Sequence, residues 1–425
     1  MKRKLASAIV IAGMMVSVAA CGGNDGNDSK DAGPSSWKGQ TLTVWTMDGS
    51  APPQWSKDVQ AAFEKKTGAK LKFEIQKWDG IQQRITTSLS EDTPPDVLEV
   101  GNTQTAAYAS TGGLADLGDL KQSIGADWTA SVSKSSVYDG KQYAAPWYFA
   151  NRVVIYNKKI WAQAGINSTP KTRDEFLKDL ATIGKKTDAE PIYLPGQNWY
   201  FLDGLIVGQG GELVKKQGDK YVSNLADPKV AAAMEIYKKY AAYSKAPKDK
   251  DEATPQQATV FAKGKTGAFI GMGWEAATAI QANKSIEKDL GYFTIPGATA
   301  DKPEGVFLGG SNLAVAQNSK KQSLAKEFLK IALSDQYEGE LAKLSGVIPN
   351  KTSLESNLKG NAAAEAAAPA AAVGGTTPLI PEWAAVENTP NPIKSYMTAV
   401  LNGKAPAAAA KDVEGEINQR LAQQN

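Results

Sequence analysis

The chain has 425 residues, with 48 Lys+Arg against 45 Asp+Glu, no His and a single Cys. Without His there is no Ser-His-Asp or Cys-His catalysis and no His-ligated metal, and one Cys allows no internal disulfide, zinc cluster or iron–sulfur centre. No metal and no cofactor is therefore expected, and near-balanced charge without a long basic run argues against a nucleic-acid partner.

Residues 1–21 read MKRKLASAIVIAGMMVSVAAC. A basic start precedes an apolar run, 5–20, that is shorter than the ~20 residues a spanning helix needs. A secretory signal peptide over 1–20 is expected instead. Removing it takes away Lys2, Arg3 and Lys4, so the remaining chain carries equal numbers of basic and acidic side chains. Val18-Ala19-Ala20-Cys21 resembles a bacterial lipobox, and the one Cys of the chain stands where such a motif is acylated. Cys21 is thus the expected lipidation site, with the protein held at the extracellular face of the cell membrane. Each buried CH₂ of an acyl chain contributes ~0.8 kcal/mol to such anchoring. Residues 22–36 lack large apolar side chains and cannot bury enough surface to order themselves. The segment 21–36 therefore reads as a lipidated Cys and flexible tether.

The body begins at Trp37. The β-branched and aromatic run 41–46 predicts a strand. Pro52-Pro53 opens a helix carrying Trp55, Val59, Ala62 and Phe63 on one face, with Gly68 as its cap. A strand follows at 71–75, a helix at 81–90, and a third strand enters after Pro94-Pro95. Further strands are predicted at 153–156, 267–270 and 313–316, and helices at 173–182, 230–243, 324–333 and 336–344. This alternation predicts a parallel sheet with helices on its faces. The Ala-rich stretch 361–373 reads as an exposed helix or helix-loop segment. So long a body is expected to divide into two lobes.

Several motifs fail on spacing. Gly264-Lys265-Thr266 lacks the earlier Gly of a phosphate loop, because position 259 is Thr. Gly208-Gln209-Gly210 lacks the third Gly of a dinucleotide fingerprint, because position 213 is Leu. The cluster 248–252 lacks calcium-loop spacing.

The informative feature is the placement of aromatics at apparent strand ends. Pro146-Trp147-Tyr148, Asn198-Trp199-Tyr200, Gly273-Trp274-Glu275 and Pro381-Glu382-Trp383 all sit beside Gly, Pro, Asn or acids. Ligands of open α/β sheets bind just beyond the carboxyl ends of strands. A pyranose has an apolar C–H face that stacks on indole, and its hydroxyl rim suits carboxylates and amides. Each Trp can equally be core, and Asp48, Asn102 and Gln104 can equally form turns. Trp274, after a buried strand ending in glycines, is the most suggestive.

The lipobox, the first strand 42–48, Pro95-Asp96-Val97, Ala115-Asp116-Leu117, 154–158, 267–274 and 309–315 occur in one order. This set resembles the extracellular sugar-binding lipoproteins of bacterial ABC importers, the family 1 solute-binding proteins. The runs KWDGI (77–81), EVGNTQT (99–105), LPGQNWY (194–200), GMGWE (271–275) and LIPEWAAVE (379–387) resemble the branch of that family that binds N,N'-diacetylchitobiose and related N-acetylglucosamine oligosaccharides. The resemblance implies a two-lobe periplasmic-binding-protein type II α/β fold with a hinge. Lobe 1 would comprise 37–149 and 305–350, and lobe 2 would comprise 150–304 and 351–425. It implies a ligand site in the interlobe cleft. Asp48 and Asn102 would come from lobe 1, Trp147 and Tyr148 from the hinge, and Asn198, Trp199, Tyr200, Trp274 and Glu275 from lobe 2. Ser311 and Asn312 would lie on a crossing strand, and Trp383 would close one end. The implied partners are the oligosaccharide, the transmembrane subunits of an ABC permease and, through the lipid, the membrane; the chain is expected to be a monomer and not an enzyme. Two other readings stay open. One is a binding protein for a maltose-type, cellobiose or xylan-type oligosaccharide. The other is a secreted glycoside hydrolase using Glu275 in a carboxylate pair.

Overall fold

A computed structural model describes residues 36–423. The signal peptide, Cys21 and all but the last residue of the tether lie outside the described residues. Strand β1 (Thr41–Met47) leads to helix α1 (Pro53–Thr67), strand β2 (Lys70–Gln76), helix α2 (Ile81–Leu89) and strand β3 (Val97–Gly101). Helix α1 buries Trp55, Val59 and Phe63, the face that its apolar spacing predicts. Gly68 ends it at φ 69°, a conformation that costs glycine little, and its N–H caps Glu64 O. Strands β4 (Ala144–Ala150) and β5 (Val153–Asn157) follow, then helices α3 (Arg173–Lys186), α4 (Trp199–Gly208) and α5 (Pro228–Ala241). Strand β6 (Ala268–Gly271), helix α6 (Glu275–Ala282), strands β7 (Leu290–Phe293) and β8 (Gly309–Val315), helices α7 (Gln322–Ala332) and α8 (Asp335–Ser345) and strand β9 (Ile348–Pro349) come next. Helices α9 (Ala362–Ala371), α10 (Trp383–Glu387), α11 (Pro392–Leu401) and α12 (Pro406–Leu421) complete the described chain.

Two sheets organise these elements. The six-stranded sheet runs β9-β4-β8-β3-β1-β2, and the three-stranded sheet runs β6-β5-β7. The expected all-parallel sheet is corrected. β1 is parallel to β2 and β3, but β8, β4 and β9 join antiparallel, and every pairing in the smaller sheet is antiparallel. The reason is topological: β8 returns to the large sheet after the chain has built the smaller one, and it enters from the opposite end. Period-2 patterning fixes the two faces of the large sheet. Val44, Val97 and Val315 pack with Trp55, Phe63 and Phe328, while Leu98, Val100 and Ala314 pack with Ile81 and Ile85. A third core around Trp161, Phe176, Tyr237, Phe269 and Phe293 belongs to the second sheet.

The Ala-rich segment is also corrected. Helix α9 is not exposed: Ala363, Ala364, Ala367 and Ala370 are buried, and it packs on β5 and β7. Methyl side chains let the helix backbone come close enough for Asn151 Nδ2 and Thr294 Oγ1 to donate to its carbonyls, at 3.1 and 2.7 Å.

One buried carboxyl ties four strands together. Glu99 on β3 is fully buried and accepts from Met47 N–H at 2.7 Å, Ser50 Oγ at 2.7 Å, Tyr148 Oη at 3.1 Å and Ser311 Oγ at 2.6 Å. Burial pushes its pKa up, and those four donors oppose the shift. Replacing it by Leu leaves several buried donors unmet, each worth ~1–3 kcal/mol. We therefore expect Glu99→Leu to lower unfolding free energy by about 3 kcal/mol or more in a denaturant titration. Glu99→Gln, which keeps one acceptor, should lose less. An unchanged midpoint in Glu99→Leu would show that the network does not hold the strands.

Candidate functional site

Helix α4 carries the aromatic cluster of the site. Asn198 caps it, its side chain accepting from Phe201 N–H at 3.3 Å. The helix can lie directly on the segment leading into β8 because glycines meet there: a Cβ on Gly204 would stand 2.8 Å from Phe307 N, and one on Gly305 would stand 2.4 Å from Gly208 backbone atoms. The Tyr200 ring consequently stacks on Phe307, with centroids 4.5 Å apart and planes 17° from parallel. Trp199 lies beside Tyr200 at 4.0 Å and near Trp383 at 6.4 Å. The Arg152 guanidinium, from the turn joining β4 to β5, stands 5.4 Å from the Tyr200 ring centre, a cation–π contact, and pairs with Glu252 at 2.6 Å.

Acids gather around these rings. Tyr200 Oη donates to Glu387 on α10, and the Thr103 hydroxyl, from the turn after β3, reaches Glu387 as well. Burial raises the Glu387 pKa, while its contacts to Tyr200 and Thr103 pull it down. Asp203, one helical turn after Tyr200, is pushed up to about 7, first by burial and then by the Glu387 carboxylate, against the pull of Arg152. Glu275 is pushed up to about 7 by burial, opposed by hydrogen bonds from Met272 N–H at 2.7 Å and Gln257 Nε2 at 2.9 and 3.0 Å. No cluster of three or more His, Cys, Asp or Glu suited to a metal ion occurs among the described residues.

The structure divides the residues singled out from sequence into three groups. Trp199, Tyr200 and Trp383 come together around Glu387 and Phe307. Trp274 is 46% exposed, directly before α6. Asp48 is exposed past the end of β1. The remainder are occupied by the fold. Trp147 is fully buried, its ring 5.2 Å from Trp55; the register slip between β8 and β4 at Ser311/Asn312 leaves it unpaired and on the α1 side of the sheet. Tyr148 and Ser311 serve Glu99. Asn312 Nδ2 donates to Thr105 Oγ1 at 2.9 Å, and Asn102 Nδ2 donates to Leu308 O at 2.8 Å. Asn198 is a helix cap, and Glu275 holds the turn 271–275 closed. Trp383 is also fully buried, and its Nε1, like that of Trp147, has no partner.

Sequence reasoning missed Trp78, Arg152, Asp203, Phe307 and Glu387. Trp78 is 46% exposed and lies against Gly101 at the end of β3, beside Asn102 and Thr103. Its signal was present in the KWDGI run. Arg152, Asp203 and Phe307 carry no local motif; only the packing of α4 on the crossing segment joins them. The arrangement offers two half-exposed indoles, carboxylates with an unpartnered oxygen and unpartnered N–H groups. That is the chemistry of a neutral, hydroxyl-rich ligand.

Comparison with known proteins agrees with this chemistry. The model of the bacterial extracellular solute-binding protein family matches residues 48–339. The diacetylchitobiose binding protein DasA of Streptomyces coelicolor is 75% identical over 424 residues, covering 100% of both chains. Among solved structures, the GacH receptor of Streptomyces glaucescens superposes with a TM-score of 0.77 at 23% identity, over 91% of this chain and 100% of that one. The sugar-binding protein MalE of Xanthomonas citri gives 0.78 at 20% identity, over 91% and 98%. These two likenesses support the two-lobe α/β class expected from sequence. On the family model and the full-length relative together, the chain belongs to the bacterial extracellular solute-binding protein family.

Proposed function

We propose that the protein is the extracellular receptor of an ABC importer, binding N,N'-diacetylchitobiose and related N-acetylglucosamine oligosaccharides and delivering them intact to its permease. The observation that carries this reading is the 75% identity, across the whole chain, with a diacetylchitobiose binding protein. The lobes divide at 149/150, 304/305 and 350/351, and the ligand lies between them. Tyr200, Asp203, Trp383 and Glu387 form the floor, and Trp274 and Trp78 offer stacking faces. Asp48 lies at the rim.

Lobe closure supplies the mechanism. Contacts to both lobes exist together only in the closed form, so a sugar that makes both sets shifts the open–closed equilibrium. Each aromatic contact contributes about 0.5–1.5 kcal/mol. Selectivity comes from closure itself, because a buried polar group left unmatched by the wrong sugar costs ~1–3 kcal/mol. The permease then reads shape, and the sugar leaves unhydrolysed. Glu275, the carboxylate that a hydrolase would need, is already held by Met272 and Gln257. Acylated Cys21 and the tether keep the receptor at the outer membrane face, and no described helix is long and apolar enough to cross a membrane.

Three outcomes are expected. In a thermal-shift panel of GlcNAc, diacetylchitobiose, cellobiose and maltose, diacetylchitobiose should raise the melting temperature most. Saturation at ~100 times Kd stabilises by about 2.7 kcal/mol. A larger shift with maltose or cellobiose would replace the ligand class, and enzyme-dependent cleavage of diacetylchitobiose would replace the receptor reading. Trp274→Ala should weaken calorimetric binding about tenfold or more, from loss of ~1.4 kcal/mol; unchanged affinity in the folded variant would remove Trp274 from the site. Cys21→Ser should move the protein from the membrane fraction to the medium, and retention on the membrane would contradict lipid anchoring.

A further inference from the structure

The floor of the cleft holds hydrogen-bonding capacity that the protein itself does not fill. Asp203 Oδ2, Glu387 Oε2, Trp383 Nε1 and Arg152 Nε are all buried without a partner. They come from α4, α10 and the turn between β4 and β5: Arg152 and Glu387 touch Tyr200, Asp203 follows it by one helical turn, and Trp383 lies near its neighbour Trp199. Asp203 follows Tyr200 by three positions and Trp199 by four, so helical geometry sets all three on one side of α4. Buried polar atoms in native proteins are usually hydrogen-bonded, and these four, on residues that neighbour one another, are capacity open to a ligand.

The charges facing this pair come from every element around it. Asp203 faces the Glu387 carboxylate from α10 and the Arg152 guanidinium from the interlobe turn. The charge of Arg152 is shared with Glu252, its ion-pair partner, and acts on Glu275 as well. Tyr200, on the same helix, gives its hydroxyl proton to one oxygen of Glu387. From the first lobe, the Thr103 hydroxyl reaches Glu387, and Tyr108 lies near enough for Glu387 to raise its pKa. Two buried carboxyls with part of one cation between them cannot both ionise cheaply, so they titrate as a couple. Hydrogen-bond donors on the free oxygens favour the ionised form. Sugar hydroxyls and acetamido N–H groups are such donors.

We propose that Asp203 and Glu387 act as one acid couple, which holds a proton in the empty cleft and gives it up to solvent when sugar O–H and N–H groups occupy its free oxygens. Ligand capture is then coupled to proton release, and affinity rises with pH through the range in which the couple titrates. One carboxylic O–H bond breaks, the proton passes to buffer, and the carboxylate charge is met by ligand donors. The coupling rests on the sugar-binding reading above and adds a regulation that this reading does not require.

The test is calorimetry of the full chain with diacetylchitobiose, in two buffers of different ionisation enthalpy and from about pH 6 to about pH 8. In the wild type we expect release of about half a proton per sugar near neutrality and a several-fold tighter Kd at the upper pH. Asp203→Asn and Glu387→Gln should each remove most of the buffer dependence and flatten the pH profile. Far-UV circular dichroism and melting check their folding, and if Asp203→Asn does not fold, the wild-type buffers and Glu387→Gln decide. Tight binding with no proton release, or with uptake, overturns the coupling and leaves the receptor reading standing. A pH profile that survives in both folded variants overturns the assignment to this couple. Absence of binding to any chito-oligosaccharide overturns the receptor reading, and the coupling with it.

Discussion

Buried hydrogen-bonding groups that lack a protein partner, on Asp203, Glu387, Trp383 and Arg152, are the constraint on which the proposed site depends. A buried carboxyl is costly in a low-dielectric interior, and an unpartnered one more so. The fold tolerates Asp203 and Glu387 because α4 is locked against the crossing segment through glycine contacts and α10 is held by its hydrogen bond from Tyr200. What is unfavourable in the empty protein becomes selectivity in the loaded one. Only a ligand that presents donors at the right places relieves the cost, and closure of the lobes raises the penalty for any ligand that does not.

The first lobe meets the same problem differently. Glu99 is as deeply buried, yet every donor around it belongs to the protein. One acid is finished by the fold and fixes four strands; the other two each keep a buried oxygen without a protein partner. The contrast sets a carboxyl whose donors the fold supplies beside two whose donors, in the proposed site, come from the ligand. It also explains why several polar residues at strand ends are already engaged: Tyr148 and Ser311 serve Glu99, and Asn312 and Asn102 are hydrogen-bonded within the fold.

Much of this was legible in the sequence, and the part that was not has physical causes. α1 was readable because Trp55, Val59 and Phe63 repeat at helical spacing and Gly68 stops them. β1 to β3 were readable from β-branched runs between helix breakers. α4 was not, because it is buried nearly all round: Trp199, Phe201, Leu202, Leu205 and Ile206 leave no polar face to set a period. α9 was misread because alanines show little hydrophobic contrast, although their small size is what lets the helix pack closely. Trp147 looked like a cleft residue from its neighbours, and a bulge placed it in the core. Trp274 and Tyr200 were singled out from local context, since a glycine-flanked Trp after a strand reads as a strand-end aromatic. Asp203, Glu387 and Arg152 were not, because their meeting is set by tertiary packing between segments far apart in sequence.

A crystal structure of the protein with diacetylchitobiose tests the central claim most directly. The account predicts a disaccharide enclosed between the two lobes, with its hydroxyl or acetamido hydrogens on the free oxygens of Asp203 and Glu387 and a pyranose face against an indole. A sugar bound outside the cleft, or within it but leaving both acids unpartnered, would contradict the account.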